Sequence, residues 1–319
     1  MVKSSVEQKY IFGPVPSRRL GRSLGVDLVP YKTCTFDCIY CDLGRTTHKT
    51  TSRQRYVSPE EIQRELDLAL SGLAKKPDYI TLSGSGEPTL NQNIREIIRS
   101  IKDLTSIIPL AVLTNGSLLF QEEVRNSLLD ADVVLPSLDA VTPFLFEHIN
   151  RPDPSLKIEE IISGLIRFRN RYRGEIWLEI LFCRGVNDGN EEVDRFKKVI
   201  EKIQPDRVQL NTPFRPPTED FAFPLTSTKL EQIRKKLGNK AQIISEFAGP
   251  LVGGGSDSVK DVEIINLVNR RPCTAEDISG ALGLRIDEVV KHLDHLIKTG
   301  AIRYRMYQHR CYYENTMPH

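Results

Sequence analysis

The sequence predicts an α/β fold built on a parallel sheet, followed by a small module of three helices and a hairpin. Three observations carry this. Short apolar strands alternate with amphipathic helices six times between Ser23 and Ser245, the pattern of a parallel sheet with right-handed crossovers. The cysteine-rich, glycine-rich and polar stretches of interest stand just past those strands, at the carboxyl end where α/β folds build their sites. A Gly/Ser-rich run at 249–258 then reads as a linker, and beyond it the apolar period is helical. The expected division is 1–248, a linker at 249–258, and 259–319.

Taken in order, Tyr10–Leu20 (YIFGPVPSRRL) holds two prolines and a glycine and reads as an irregular or edge-strand element. Arg18, Arg19 and Arg22 form a basic cluster there. It is either solvated or paired with core carboxylates, or it contacts an anion at the mouth of a site. Ser23–Val29 (SLGVDLV) is a strand, and the octet CTFDCIYC at 34–41 follows it. Ser58-Pro59-Glu60-Glu61 starts a helix, with Ser58 and Glu61 placed for a capping box. Asp78–Leu82 is a buried strand, followed by SGSGEP at 83–88. A helix over Asn93–Leu104 precedes the strand Leu110–Leu113 and the turn Thr114-Asn115-Gly116.

Helix Gln121–Leu129 leads to strand Val133–Leu138, whose period of two puts Ser137 and Asp139 on one face. Asp139 reads either as a ligand contact or as the cap of the next helix. A helix at Ile158–Tyr172 precedes strand Glu175–Phe182. Glu179 is charged within that apolar run, and a buried carboxylate needs a partner. It is a site candidate or the salt-bridge partner of one of the arginines above. Helix Glu191–Ile203, strand Arg207–Leu210, helix Ser227–Leu237 and strand Ala241–Ser245 complete the alternation. Asn211 and Arg215 lie just past the Arg207–Leu210 strand.

The octet spaces three cysteines C-x3-C-x2-C. Three thiolates can hold three irons of a [4Fe-4S] cluster and leave the fourth iron open to a chelating molecule. The alternatives are inert thiols or a zinc site, which would need a fourth ligand, with His48 the nearest candidate. Cys183, Cys273 and Cys311 are scattered and read as structural thiols.

The octet resembles the signature of the radical S-adenosylmethionine (SAM) superfamily. The resemblance covers roughly residues 10–247 and implies a partial (β/α)6 barrel. It further implies that Cys34, Cys38 and Cys41 hold a [4Fe-4S] cluster and that SAM chelates the open iron. Reductive cleavage of SAM would then give a 5′-deoxyadenosyl radical. Tyr40 would pack near the adenine. The stretch at 83–88 resembles the GGEP element, with Ser85 in place of its first glycine, so Ser85, Gly86 and Glu87 would meet the SAM amino group. By the same resemblance Asn115 lies close to SAM, Ser137 and Asp139 reach its ribose, and Asn211 and Arg215 face SAM or substrate. A reductant such as a ferredoxin or flavodoxin is the implied partner.

Within the superfamily, the octet, SLDA and RPP look most similar to the wyosine-base (tRNA) synthase group. That group uses a second cluster held by upstream cysteines, and no cysteine precedes Cys34 in this sequence. A different reaction, on a tRNA, a protein or another substrate, is the safer reading. The rival readings are a glycyl-radical-enzyme activating protein, and an Fe–S-sensing regulator with a DNA-binding winged helix.

Residues 259–319 resemble a winged helix-turn-helix. Mixed charge on its helices is a poor footprint for a phosphate backbone. In the hairpin at 301–313, Arg303, Arg305, His309 and Arg310 alternate with tyrosines. Those could stack on bases, but a strand with a buried aromatic face, or a docking surface for substrate or partner, is favoured. Net charge is +2 and hydrophobic content 39%, so the overall field predicts neither strong nucleic-acid nor membrane binding. The N-terminus lacks a signal-peptide core. A cytoplasmic location is expected, and it suits six cysteines kept as thiols or metal ligands.

Overall fold

The computed structural model describes residues 10–73, 75–244 and 257–316, the last from 261 on with side chains. Most of the expected linker, and Ser245 of the last expected strand, lie outside the described residues. The first strand pair is β1 (Ile11–Ser17) and β2 (Gly21–Val26), joined by the turn that carries Arg18 and Arg19. They run antiparallel. The expected irregular or edge element is therefore a true edge strand, and prolines fit there because an edge leaves N–H groups unpaired.

Past β2 the chain forms two short bridging segments, β3 (Thr33–Cys34) and β4 (His48–Lys49), that pair with each other. The βα alternation then follows: α1 (Pro59–Gly72), β5 (Tyr79–Leu82), α2 (Ile94–Leu104), β6 (Leu110–Thr114), α3 (Glu122–Ser127) and β7 (Val133–Pro136). It continues with α4 (Pro143–Ile149), α5 (Ile158–Arg171), β8 (Glu175–Leu181), α6 (Asn190–Ile203), β9 (Arg207–Asn211), α7 (Ser227–Leu237) and β10 (Ala241–Ile243). The sheet order is β1-β2-β5-β6-β7-β8-β9-β10, with every pairing after β1–β2 parallel. This is the expected α/β partial barrel. The sequence sets no bounds for α4, the helix that the capping reading of Asp139 implies, because Pro143 and a length of about two turns leave little periodic signal.

Local chemistry explains the element ends. Ser58 and Glu61 close the capping box in both directions, and Ile94, Ile97, Ile98 and Ile101 give α2 a single buried stripe. Strand alternation sorts side chains into two layers. Leu24, Val26, Ile80, Leu82, Val112 and Val134 join the helices in the main core. Leu20, Ala111, Val133, Leu135 and Trp177 form a second cluster on the opposite, inner face. Arg207 lies 4.2 Å over the Trp177 ring. The inner face is thus filled at the strands' amino ends and polar toward their carboxyl ends.

The C-terminal module comprises α8 (Asp257–Val268), α9 (Ala275–Leu282), α10 (Ile286–Lys298), β11 (Ile302–Tyr307) and β12 (Arg310–Asn315). Thr274 and Asp277 close a capping box on α9, as expected. Its core includes Ile264, Ile278, Val289, Leu293 and Ile302, and Val15 of β1 is part of it. The module therefore grows onto the sheet's edge strand. Its hairpin lies against the 213–220 loop of the barrel: Tyr312 donates from its hydroxyl to the Phe214 carbonyl at 2.7 Å, and Arg305 pairs with Asp220 at 2.8 Å. Tyr312 is 1% exposed whereas Tyr304 is 60% exposed, so only part of the tyrosine row is buried.

Candidate functional site

Cys34, Cys38 and Cys41 lie on the loop after β2, at the carboxyl edge of the parallel sheet. Three neighbouring elements pin that loop through its backbone. Ile39 N–H donates to the Ile149 carbonyl at the end of α4, at 3.0 Å. Glu219 N–H donates to Ile39 O at 2.9 Å, and the Thr218 hydroxyl donates to Cys41 O at 2.8 Å. From the β5 side, Glu87 N–H donates to Thr33 O at 3.1 Å. A Cβ on Gly86 would stand 1.9 Å from that same oxygen, so only glycine lets the two loops touch.

The sulfurs meet amide donors. Asn115 Nδ2 lies 3.5 Å from Cys34 Sγ, and Asn150 Nδ2 lies 3.4 Å from Cys38 Sγ. N–H donors aimed at sulfur are the contacts that tune Fe–S clusters. All three thiols are half-buried and free. Burial first, and Glu87 second, pushes Cys34 up to about 11. Burial, then Asp42, pushes Cys41 up to about 12. Burial and the Asp139 charge raise Cys38 as well. Such thiols ionise when iron takes them, since a coordinating metal deprotonates its thiol outright. Among the described residues no three His, Cys, Asp or Glu side chains converge on one point as a single metal ion requires. His48 is exposed. Zinc would draw its donors to about 2.0–2.3 Å from one centre; three thiols of a cubane each meet a different iron and need not converge. The donor set, its partial exposure and its N–H···S contacts therefore fit a three-cysteine cluster.

The other expected residues surround this loop in two groups. Asn115 stands at the end of β6 beside the octet, and Gly116 takes φ +73° in the turn. Ser85, 7% exposed, receives Lys32 N–H at 2.6 Å and donates to Asp27. Glu87 is 2% exposed, and both its oxygens are used internally. Thr114 Oγ1 and Asn115 N–H donate to it at 2.6 and 2.7 Å, and Thr89 donates twice. It brackets two loops, with no free oxygen turned to the cluster. Burial raises its pKa against those four donors.

Asp139 receives the Tyr40 hydroxyl, Asn150 Nδ2 at 3.0 Å and Leu181 N–H at 2.8 Å. It does not cap α4, whose first flanking residue is Thr142. Burial raises its pKa to about 6 despite those donors. Ser137 bridges to Glu179 on the inner face, half-buried. Glu179 pairs with Arg19 and accepts from Asn211 Nδ2 at 2.9 Å. The salt-bridge reading of Glu179 is thus what the structure holds. Arg215, 9% exposed, spans three segments: Pro272 O at 3.0 Å, Asp42 at 3.7 Å and Asp277 at 3.8 Å. Arg22 turns away, donating to Lys75 O at 3.3 Å.

Sequence reasoning missed Asn150, Asp27, Arg270 and Arg271. Only Asp27 carried a signal, as a charge inside the apolar SLGVDLV. Arg270 pairs with it at 3.1 Å from 243 residues away.

Comparison with known proteins agrees with this geometry. Residues 28–197, more than half the chain, match the family model described as the radical SAM superfamily. The GTPase Obg of Brachyspira hyodysenteriae is 40% identical over 305 residues, 94% of this chain and 44% of that protein. The chain thus spans less than half of that relative. A UPF0026 protein of Methanocaldococcus jannaschii is 37% identical over 247 residues, 75% of each chain. A radical SAM methyltransferase from Sphaerobacter thermophilus superposes with a TM-score of 0.57 at 18% identity, covering 69% of this chain and 65% of that one, a likeness of fold. The family match falls on the cysteine loop and the strands that surround it, and it places this chain in the radical SAM superfamily, whose enzymes use a [4Fe-4S] cluster and SAM.

Proposed function

We propose that this enzyme holds a [4Fe-4S] cluster on Cys34, Cys38 and Cys41, binds SAM at its open iron, and abstracts hydrogen from a substrate that is a tRNA or another molecule. When bound, the cluster and SAM supply a 5′-deoxyadenosyl radical by reductive cleavage of the sulfonium. The observation that carries the reading is the three-cysteine loop at the sheet's carboxyl edge, with Asn115 and Asn150 donating to two of its sulfurs.

The chain's own residues do the rest. Gly86 brings the β5 loop against the cysteine loop, and Glu87 locks it to β6. Tyr40 and Asp139 form one wall, with Ser137 beside them on the inner face. Asn211, Glu179 and Arg19 form the opposite polar floor. The C-terminal module, which we read as a winged helix, serves as a cover over the barrel. Its hairpin is turned toward the 213–220 loop, which supports docking over DNA reading. A ferredoxin or flavodoxin would deliver the electron. Free cysteines suit a cytoplasmic enzyme; among the described residues no helix is long and apolar enough to cross a membrane.

The test is product analysis. Anaerobically reconstituted, reduced protein with SAM should release 5′-deoxyadenosine, and Cys38→Ala should release none above background. Equal release by both proteins, or none by either, contradicts the proposal.

A further inference from the structure

Five arginines crowd the mouth of the barrel: Arg18, Arg19, Arg215, Arg270 and Arg271. Three have carboxylate partners. Arg19 pairs with Glu179, Arg270 with Asp27, and Arg215 stands 3.7 and 3.8 Å from Asp42 and Asp277. Among the described residues neither Arg18 nor Arg271 has a carboxylate within the 4.0 Å of an ion pair. Arg18 lies 3.5 Å over the Phe214 ring, whose centroid is also 4.2 Å from Arg215. Burial, followed by repulsion from Arg215 and Arg19, lowers the Arg18 pKa to about 10 against the attraction of Glu179, and Arg18 lines a separate cavity with Phe214 and Arg215. Arg271 is half-buried, and a partly buried cation with no carboxylate at ion-pair distance is costly until an anion meets it.

Arg271 stands where two cavities meet. One is a chamber of about 240 Å³ against the inner sheet face, lined also by Arg19, Arg270 and the hydroxyl residues Ser17 and Ser83. The other is a cleft of about 420 Å³ running along the cysteine loop, where Arg45, Arg303 and Arg305 are paired with Glu219, Glu314 and Asp220, so that Arg271 is the arginine of its lining left without a carboxylate among the described residues. Asp42 lines both cavities, one residue past Cys41. A guanidinium presents a planar fork that matches an oxyanion with two hydrogen bonds.

We propose that the chamber is an oxyanion site, in which Arg271 takes a phosphate or carboxylate group of the substrate, with Ser17 and Ser83 on the same lining. The C-terminal module then contributes a binding residue to the barrel's own site. The purpose of the site rests on the enzymatic reading above, but oxyanion binding is measured without turnover.

The experiment is calorimetric titration of the full chain at low ionic strength with inorganic phosphate and, separately, succinate. Wild type binds at least one, and Arg271→Met weakens it by about tenfold or more. Arg99→Met, which breaks a surface pair with Asp130, leaves the affinity unchanged. Preference for phosphate assigns a phosphate ester, and preference for succinate a carboxylate. Should Arg271→Met misfold by thermal melt, Arg271→Lys keeps the charge, loses the fork and still weakens binding. The proposal is overturned if neither anion binds, if both Arg271 variants bind like wild type, or if SAM affinity falls in parallel, which would give Arg271 to the SAM carboxylate. Release of 5′-deoxyadenosine by wild type is read separately, so failure of the enzymatic reading and failure of the oxyanion site are told apart.

Discussion

The Asn115 side-chain amide donates to Thr35 Oγ1 at 2.7 Å and faces Cys34 Sγ at 3.5 Å, while its backbone N–H is held by Glu87 at 2.7 Å. One residue thus ties the β6 turn to the cysteine loop and to the β5 loop. Hydrogen bonds to cluster sulfurs stabilise the reduced, more negative state. Asn115→Ala is expected to shift the cluster's reduction potential negative and to lower activity by roughly tenfold or more, the usual cost of losing a group that supports a metal ligand. An EPR-monitored redox titration reads the shift; an unchanged potential would remove Asn115 from this role.

Glu87 accepts four hydrogen bonds in a buried pocket. Removing it leaves those donors unpaired, at about 1–3 kcal/mol for an unsatisfied buried group. Glu87→Ala is expected to lose at least about 3 kcal/mol in chemical denaturation, and Glu87→Gln distinctly less. Equal losses would mean that the charge, and not the acceptors, matters.

Asp139 is raised from 3.8 to about 6 by burial. Between those pH values the folded chain keeps a proton that the unfolded chain has released, so stability falls as pH rises through the window. The cost reaches about 3 kcal/mol above pH 6. The melting temperature of Asp139→Asn should therefore gain on wild type between about pH 4 and pH 6, and hold its gain above. A gap that does not change with pH would show that the Tyr40, Asn150 and Leu181 donors offset the burial fully.

Glu179 is the carboxylate for both Arg19 and Asn211. Glu179→Ala strands a partly buried guanidinium and should cost about 3 kcal/mol. Adding Arg19→Met should recover part of that loss. A double variant as unstable as the sum of the two single variants would show that the pair is not coupled.

What the sequence revealed and what it hid follow from contact range. The octet, the glycine-rich stretch and the TNG turn are local words, and each landed at a strand's carboxyl end. The Ser58 and Thr274 capping boxes span three residues and were equally legible. Asn150 reaches Cys38 across 112 residues and Arg270 reaches Asp27 across 243. Nothing near those residues announces the partner. Glu87 shows the other limit: its motif was recognised, but which way its oxygens turn depends on Thr89, Thr114 and Asn115 together. The module's attachment to β1 through Val15 was hidden too, because a single valine in a proline-rich strand carries no pattern.

The central claim is that three cysteines leave one iron of the cluster available to SAM. The direct measurement is the EPR spectrum of the reduced, reconstituted protein before and after SAM is added. The account predicts a [4Fe-4S]⁺ signal that changes shape on SAM addition and is absent in Cys34→Ala. A spectrum indifferent to SAM, or protein that takes up a single zinc ion and no sulfide, would contradict it.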